Sequence, residues 1–341
     1  MQRKAKATLA DVARLAGVST ATVSRALSRP DLLQQDTLER VSSAVSRLNY
    51  VPGGAARALA SGRTLTIGVV VPTLDHAIFA RAIQAMQTEL AGNGYQLLVS
   101  AHDYSLALEA SAVRAMLARG VDGLMMVGTD HLDETWGLLM QAPVPVILSW
   151  SFDERLPSIG FDNEKAGYLI AEHLLDLGHR RFGVISGYTH TNDRARMRVA
   201  GVRAALAARG LELGAGDVVE TGFSLANGRA AMTELMARAK PPTAVVSGND
   251  LLSVGAILEA HAANIRVPED VSIAGIDDLE IASHISPSLT TVHLPTPELG
   301  RAAAAQLLAR VKGIEQAHRV ELPIGLVVRR STAAPQNTMQ T

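Results

Sequence analysis

From residue 65 to about residue 280, short apolar runs alternate with amphipathic stretches, and this alternation leaves few folds open to the body of the chain. The apolar runs are 65–71, 96–100, 123–127, 144–149, 158–161, 181–185, 244–247 and 272–276. Helix-patterned segments lie between them, such as 81–92, 107–119, 166–177, 195–209, 227–239 and 253–263. Strands that are apolar almost throughout are buried on both faces, and crossover helices provide the cover. Parallel sheets follow. Two such sets in tandem predict two similarly built lobes over residues 65–333, with a disordered tail at 334–341.

The first 63 residues differ in texture and in charge. They hold ten Lys and Arg against four acids, a net +6, while the remainder holds 22 against 29, a net −7. A small basic head on an acidic body implies that only the head meets a polyanion. There is no cysteine, which removes disulfides, thiol chemistry and Cys-ligated zinc. No signal-peptide pattern or membrane-spanning apolar run is visible. These features predict a cytoplasmic, nucleoid-associated protein.

Three short helices are expected in residues 1–52. Thr8 precedes the periodic run Leu9, Val12, Ala13, Leu15, Ala16, and Asp11 follows Thr8 by three, a capping pattern. Gly17 ends that helix, and Ser19 caps a second that runs to about Ser28. A third spans about 36–48. The first two read as a helix-turn-helix: Ala13 is small at the crossing, Gly17 makes the turn, and Val18, Val23 and Ala26 face inward. The second helix of this motif enters the DNA major groove. Its outward side carries Thr20, Ala21, Thr22, Ser24 and Arg25. Arg25 suits a guanine edge or a phosphate, Thr22 and Ser24 suit phosphates, and Ala21 or the Thr20 methyl suits a thymine methyl.

Residues 8–28, TLADVARLAGVSTATVSRALS, followed by LNYVP and ARALASGRT, resemble the lac repressor/GalR family of bacterial regulators. In the body, HLLDLGHRRFGVISG, SGNDLLSVGA, RVPEDVSIAGIDD and PSLTTV extend the likeness over nearly the whole chain. The resemblance implies an N-terminal all-α helix-turn-helix head, with a hinge helix and linker at 53–64 in which Ala55–Ala60 is the helix. It also implies an α/β, two-lobed effector domain like a type I periplasmic binding protein. It makes Leu59 an apolar wedge for the operator's minor groove, where burial offsets unstacking. Expected partners are palindromic double-stranded operator DNA, a second copy of the chain (a homodimer or a tetramer) and a small-molecule effector, with no membrane.

Ligands of open parallel sheets bind beyond the carboxyl ends of the strands. Asn249, Asp277 and Asp162 follow expected strands, and Arg198 lies on the helix leading to Gly201. Matched to the family, Arg198, Asn249 and Asp277 contact the effector and Phe223 packs on a ring face; Asp162 and Phe79 are further candidates for the site. An Arg, an Asn and an Asp converging on one ligand suit adjacent hydroxyls. Other readings stand beside these. Asp162 and Asn163 suit an N-cap pair, Asp278 a cap for the next helix, and Asp250 a structural role. The segment Thr73-Leu74-Asp75-His76-Ala77-Ile78-Phe79 departs from the Asn-Pro-Phe-Phe common in relatives, so one pocket wall differs.

Enzyme readings find no support in the motifs. The histidines form no HExxH or similar metal spacing, and no GxxxxGK[ST], GxGxxG or GxSxG occurs. His179 is expected to bond backbone. No cofactor, metal or catalytic residue is expected. The sequence therefore predicts a repressor released from its operator by a sugar or sugar-acid inducer. The alternatives are a repressor activated by a nucleobase-like corepressor and, remotely, a sugar-binding or sugar-processing protein.

Overall fold

The computed structural model describes residues 7–28, 30–51 and 62–336. Ala55–Ala60 and Leu59, the expected hinge helix and its wedge, lie outside the described residues, as does 337–341 of the expected tail. The chain divides into two compact units. One comprises residues 1–66 with 120–122, and the other 67–119 with 123–341.

The first unit contains α1 (Leu9–Ala16), α2 (Thr20–Ser28) and α3 (Gln35–Arg47). The cap signals act as the sequence requires. Thr8 and Asp11 form a reciprocal capping box, and Gly17 takes the left-handed conformation at φ 65° that ends α1. The Ser19 hydroxyl accepts the N–H of Thr22 at 3.1 Å and caps α2. The three helices close on a small core of Val12, Ala13, Ala16, Val23, Val41 and Ala44, with Val18 and Ala26 packed at its edge.

The second unit is built on two six-stranded sheets. The first orders its strands β2 (Gln96–Ala101), β1 (Thr66–Val71), β3 (Gly123–Val127), β4 (Val146–Trp150), β5 (Ser158–Gly160), β11 (Arg319–Glu321). The second orders β7 (Val218–Glu220), β6 (Phe182–Ser186), β8 (Ala244–Ser247), β9 (Ser272–Asp277), β10 (Thr290–His293), β12 (Gly325–Val327). The central pairings β1–β3, β3–β4, β6–β8 and β8–β9 are parallel, and β12 alone is seen running antiparallel to its neighbour. The central strands are buried almost throughout, as expected of sheets covered on both faces.

Helices α4 (Ala77–Gly92), α5 (Leu106–Ala118), α6 (Asp133–Met140) and α12 (Thr296–Val311) belong to the first sheet's lobe. Helices α7 (Asn163–Asp176), α8 (Asp193–Ala207), α9 (Leu225–Met236), α10 (Asp250–Ala262) and the short α11 (Glu280–His284) belong to the second. The chain thus passes between lobes three times: after β5, after β10 and after β11. Helices α7 and α8 pack so closely that a side chain at Gly167 or Gly201 would overlap the backbone of the facing helix. That contact fixes Arg198 on α8 beside Asn163 at the start of α7. Among the described residues no helix is long and apolar enough to cross a membrane.

Candidate functional sites

On α2, Thr20, Ala21 and Arg25 are exposed, whereas Thr22 and Ser24 are half-buried. The Thr22 hydroxyl lies 2.9 Å from that of Ser19, so it is partly committed to the cap. The outward face has the small, polar and basic character that a groove-reading helix requires.

The second site lies where the two sheets face each other. Strand order reverses between β1 and β3 in one lobe and between β6 and β8 in the other. These are the switch points beyond which open sheets bind ligands. In one lobe the loops after β1 and β2 supply His76 and Tyr104, the start of α4 supplies Phe79, and β4 ends on Trp150. In the other, the loops after β6, β7 and β8 supply Asn192, Phe223 and Asn249, the start of α8 supplies Arg194, and β9 ends on Asp277.

Arg198 and Asp277 form the polar floor. Both are buried, and the Arg198 Nη1 lies 3.5 Å from the Asp277 Oδ1. The guanidinium donates to the Gly248 carbonyl at 2.6 Å and, through Nε, to the Asn163 side-chain oxygen at 3.1 Å. Burial lowers the pKa of Arg198. Burial also pushes Asp277 up to about 8, against the pull of Arg198 and with help from nearby Asp250. The Asp277 Oδ1 has no hydrogen-bond donor. Its backbone has φ 130°, a conformation side chains rarely adopt, so strain holds this carboxyl at the end of β9. Beside it, Asp193 and Arg194 pair at 2.6 Å. Burial opposes the Asp193 charge, but Arg194 and the hydroxyls of Ser151 and Thr129 outweigh it and hold its pKa down.

Aromatic rings wall the cleft. Phe79 meets Trp150 edge-on at 5.1 Å, and the buried Trp150 Nε1 has no acceptor. His76 meets Phe223 edge-on at 5.4 Å, and Tyr104 lies 5.6 Å from Phe223. Asp103 and Tyr104 are both left-handed, at φ 48° and 58°, which costs roughly 1–2 kcal/mol per residue. This backbone aims the Tyr104 ring into the cleft. Burial pushes the Tyr104 hydroxyl up to about 12. Burial also lowers the His76 pKa, against its bond to the Phe223 carbonyl.

The structure brings Arg198, Asn249, Phe223 and Phe79 together around one cavity; Asp277 does not line it but lies buried beside Arg198. Asn249 is buried there and also caps α10, accepting from Leu252 N–H at 2.9 Å. Asp162 is not part of this group. Its carboxylate caps α7 through Lys165 N–H at 2.8 Å, and its neighbour Asn163 is the one that reaches Arg198. Asp278 caps nothing: it accepts from Arg329 at 2.6 Å and faces His293 at 2.9 Å, while Leu279 occupies the cap of α11. Asp250 is structural, accepting from Thr291 at 2.5 Å and from Leu279 N–H at 2.7 Å. His179 is pinned beside the Ala333 carbonyl at 2.9 Å, as expected. Sequence reasoning missed Arg194, Tyr104 and Trp150 and gave Asn163 only a capping role. Only the position of Trp150 at the end of an apolar strand could have flagged it.

Comparison with known proteins identifies the two units. Residues 8–53 match the bacterial regulatory proteins of the lacI family, and residues 171–332 match the periplasmic binding protein-like domain. The chain is 32% identical to the HTH-type transcriptional repressor PurR of Haemophilus influenzae over 331 residues, covering 95% of this chain and 98% of that protein. It is 29% identical to the lac repressor in a crystal structure of the dimer bound to operator and the anti-inducer ONPF. That match has a TM-score of 0.86 and covers 96% of this chain and 99% of the other. The complex of transcriptional regulator CelR with cellobiose is 31% identical at a TM-score of 0.72, covering 95% and 99%. The chain therefore belongs to the lacI family of bacterial regulatory proteins, and it is a DNA-binding transcriptional repressor rather than an enzyme.

Proposed function

We propose that this repressor binds a palindromic operator as a dimer and is released by a sugar or sugar-acid inducer held in the cleft between its lobes. Residues 1–52 read the DNA, 53–64 form the hinge with Leu59 as its wedge, and 65–333 bind effector and partner. Thr20, Ala21 and Arg25 face the bases. Thr22 and Ser24 support phosphate contacts. Arg198, Asn249 and Asp277 bind effector hydroxyls or a carboxylate, with Phe79 and Phe223 against the ring.

The observation that carries this reading is the placement of Arg198 and Asp277. They lie side by side and buried, Asp277 at the carboxyl end of β9 and Arg198 on α8, with one Asp277 oxygen lacking a donor. Such an oxygen suits an incoming hydroxyl. A ligand changes operator affinity only by its differential affinity for the lobe arrangements, typically 1–3 kcal/mol per site. The test is a gel shift on operator fragments selected by the protein from its own genome, titrated with sugars and sugar acids. Release on addition supports induction, tighter binding reverses the sign to a corepressor, and no response to any of them overturns the effector class.

A further inference from the structure

We infer that the buried pair Glu109–His131 is a positioning device: it holds the loop after β3 in the shape that clasps the second lobe, and so governs how readily the cleft closes. Its effect on effector affinity rests on the reading of the cleft as the effector site; its effect on the loop does not. Neither residue lines the cleft, so both act on a ligand only through the loop.

Three consecutive residues of the loop engage the start of α8. Gly128, at φ 83°, lies so close that a side chain there would overlap the Arg194 guanidinium and the Asp193 carboxylate. Thr129 donates to Asp193 through its hydroxyl at 3.1 Å and through its backbone N–H. Asp130 accepts two hydrogen bonds from Arg196. Ordering each loop residue costs entropy, so a loop this short keeps one shape only where it is tied down.

His131, the next residue, ties it. Its Nε2 lies 3.1 Å from the Gly128 carbonyl, and its Nδ1 lies 2.8 Å from Glu109 Oε1. A carbonyl only accepts, so Nε2 carries a proton. Nδ1 and the Glu109 oxygen share a second proton between them, which bonds both ring nitrogens and leaves the pair neutral as a whole. Glu109 stands in the first turn of α5, where the helix dipole favours a carboxylate. Both side chains are buried. Trp136 meets the imidazole edge-on at 5.1 Å, and the Arg155 guanidinium lies over Trp136 at 3.4 Å. A bond so shielded is strong, and loss of either partner strands the other. His102 Nε2 lies 3.5 Å from the second Glu109 oxygen. It is the weaker partner, because that distance is long for a hydrogen bond and burial lowers the His102 pKa. Glu109 thus acts through His131 on Gly128, and Gly128 receives Arg194.

The experiment is hydrogen–deuterium exchange with mass spectrometry on the full-length protein, without effector. The reporters are the backbone amides of Gly128 and Thr129 in the loop and of Ala195 and Arg196 on α8, all of them hydrogen-bonded. Glu109→Leu should speed exchange at both places by about tenfold or more, while β1 and β3 exchange as in wild type. Glu109→Gln should stay within about twofold of wild type, because its amide donates to Nδ1 as a protonated carboxyl would. The double variant Glu109→Leu with His131→Phe strands neither partner and should repeat the Glu109→Leu result, which keeps the test open if the single variant does not fold. Unchanged exchange at Ala195 and Arg196, Glu109→Gln no better than Glu109→Leu, or a rise spread over β1 and β3 overturns the proposal. Failure of sugars and sugar acids to bind would leave these rates untouched and remove only the consequence for effector affinity.

Discussion

Arg198 lies 3.5 Å from Asp277, but its short hydrogen bonds go to the Gly248 carbonyl and to Asn163. The guanidinium is thus held without needing the carboxylate to be charged. Burial pushes Asp277 up to about 8, so its surroundings favour the protonated form.

This makes stability depend on pH in a defined direction. Asp277 ionises near its ordinary 3.8 in the unfolded chain and near 8 in the folded one. Its stabilising contribution is complete below the first value and is lost as pH rises through the second. The loss is at most about 1.4 kcal/mol per pH unit. Asp277→Asn mimics the protonated form, so it should flatten the profile between about pH 4 and pH 8. Urea unfolding at pH 5 and pH 7 measures this. Parallel profiles for wild type and variant would refute the raised pKa.

At the DNA head, Arg25 is exposed at the end of α2. Arg25→Ala should cost about 1–3 kcal/mol if the side chain reads a base edge. A footprint on the selected operator should then weaken while non-specific binding changes little. An unchanged footprint would remove Arg25 from the reading face. The log of specific affinity should also fall linearly with the log of salt concentration, by about 0.9 per phosphate neutralised.

Gly187, just after β6, marks a tight approach. A Cβ there would overlap the Phe223 ring. Gly187→Ala should displace Phe223 at an overpacking cost of about 1–3 kcal/mol and reduce effector affinity more than tenfold. Thermal unfolding and effector titration measure the two effects separately. A variant that binds effector normally would show that Phe223 does not form the ligand wall.

The strand–helix alternation was legible because buried parallel strands are apolar without interruption. The short edge strands were not. Arg319–Glu321 and Val218–Glu220 are three residues each, lie at or next to sheet edges and include exposed charges, so periodicity had nothing to register. Helix α12 lies in a part of the sequence where no element was expected. It belongs to the first lobe although β10, just before it, belongs to the second, and local pattern does not reveal such exchanges. The site divides similarly. Asn249 and Asp277 could be found because each directly follows an apolar strand. Tyr104, Trp150 and Arg194 meet only through pairings between distant segments. Asp162 and Asn163 are adjacent candidates whose roles were settled by which one became the helix cap.

An ion pair bridges the two lobes beside the cleft. Arg196 on α8 grips Asp130, in the loop after β3, with two hydrogen bonds of 2.8 and 2.7 Å. The pair joins one lobe to the other, and it is partly solvent-exposed. Partly exposed pairs contribute about 0.2–1 kcal/mol. That is too little to affect folding but enough to move an open–closed equilibrium up to about fivefold. A ligand that binds the closed arrangement sees its apparent affinity fall by the fraction of closed protein lost. Arg196→Ala and Asp130→Ala should each weaken effector binding by up to about fivefold. The double variant should be no worse than Arg196→Ala, which removes the pair together with the bond from Arg196 Nη1 to the Thr189 carbonyl at 2.8 Å. Thermal stability should stay within a degree or two. Titrations in which the two substitutions add independently would show that the pair does not act as a latch, and that each residue touches something else when the cleft closes.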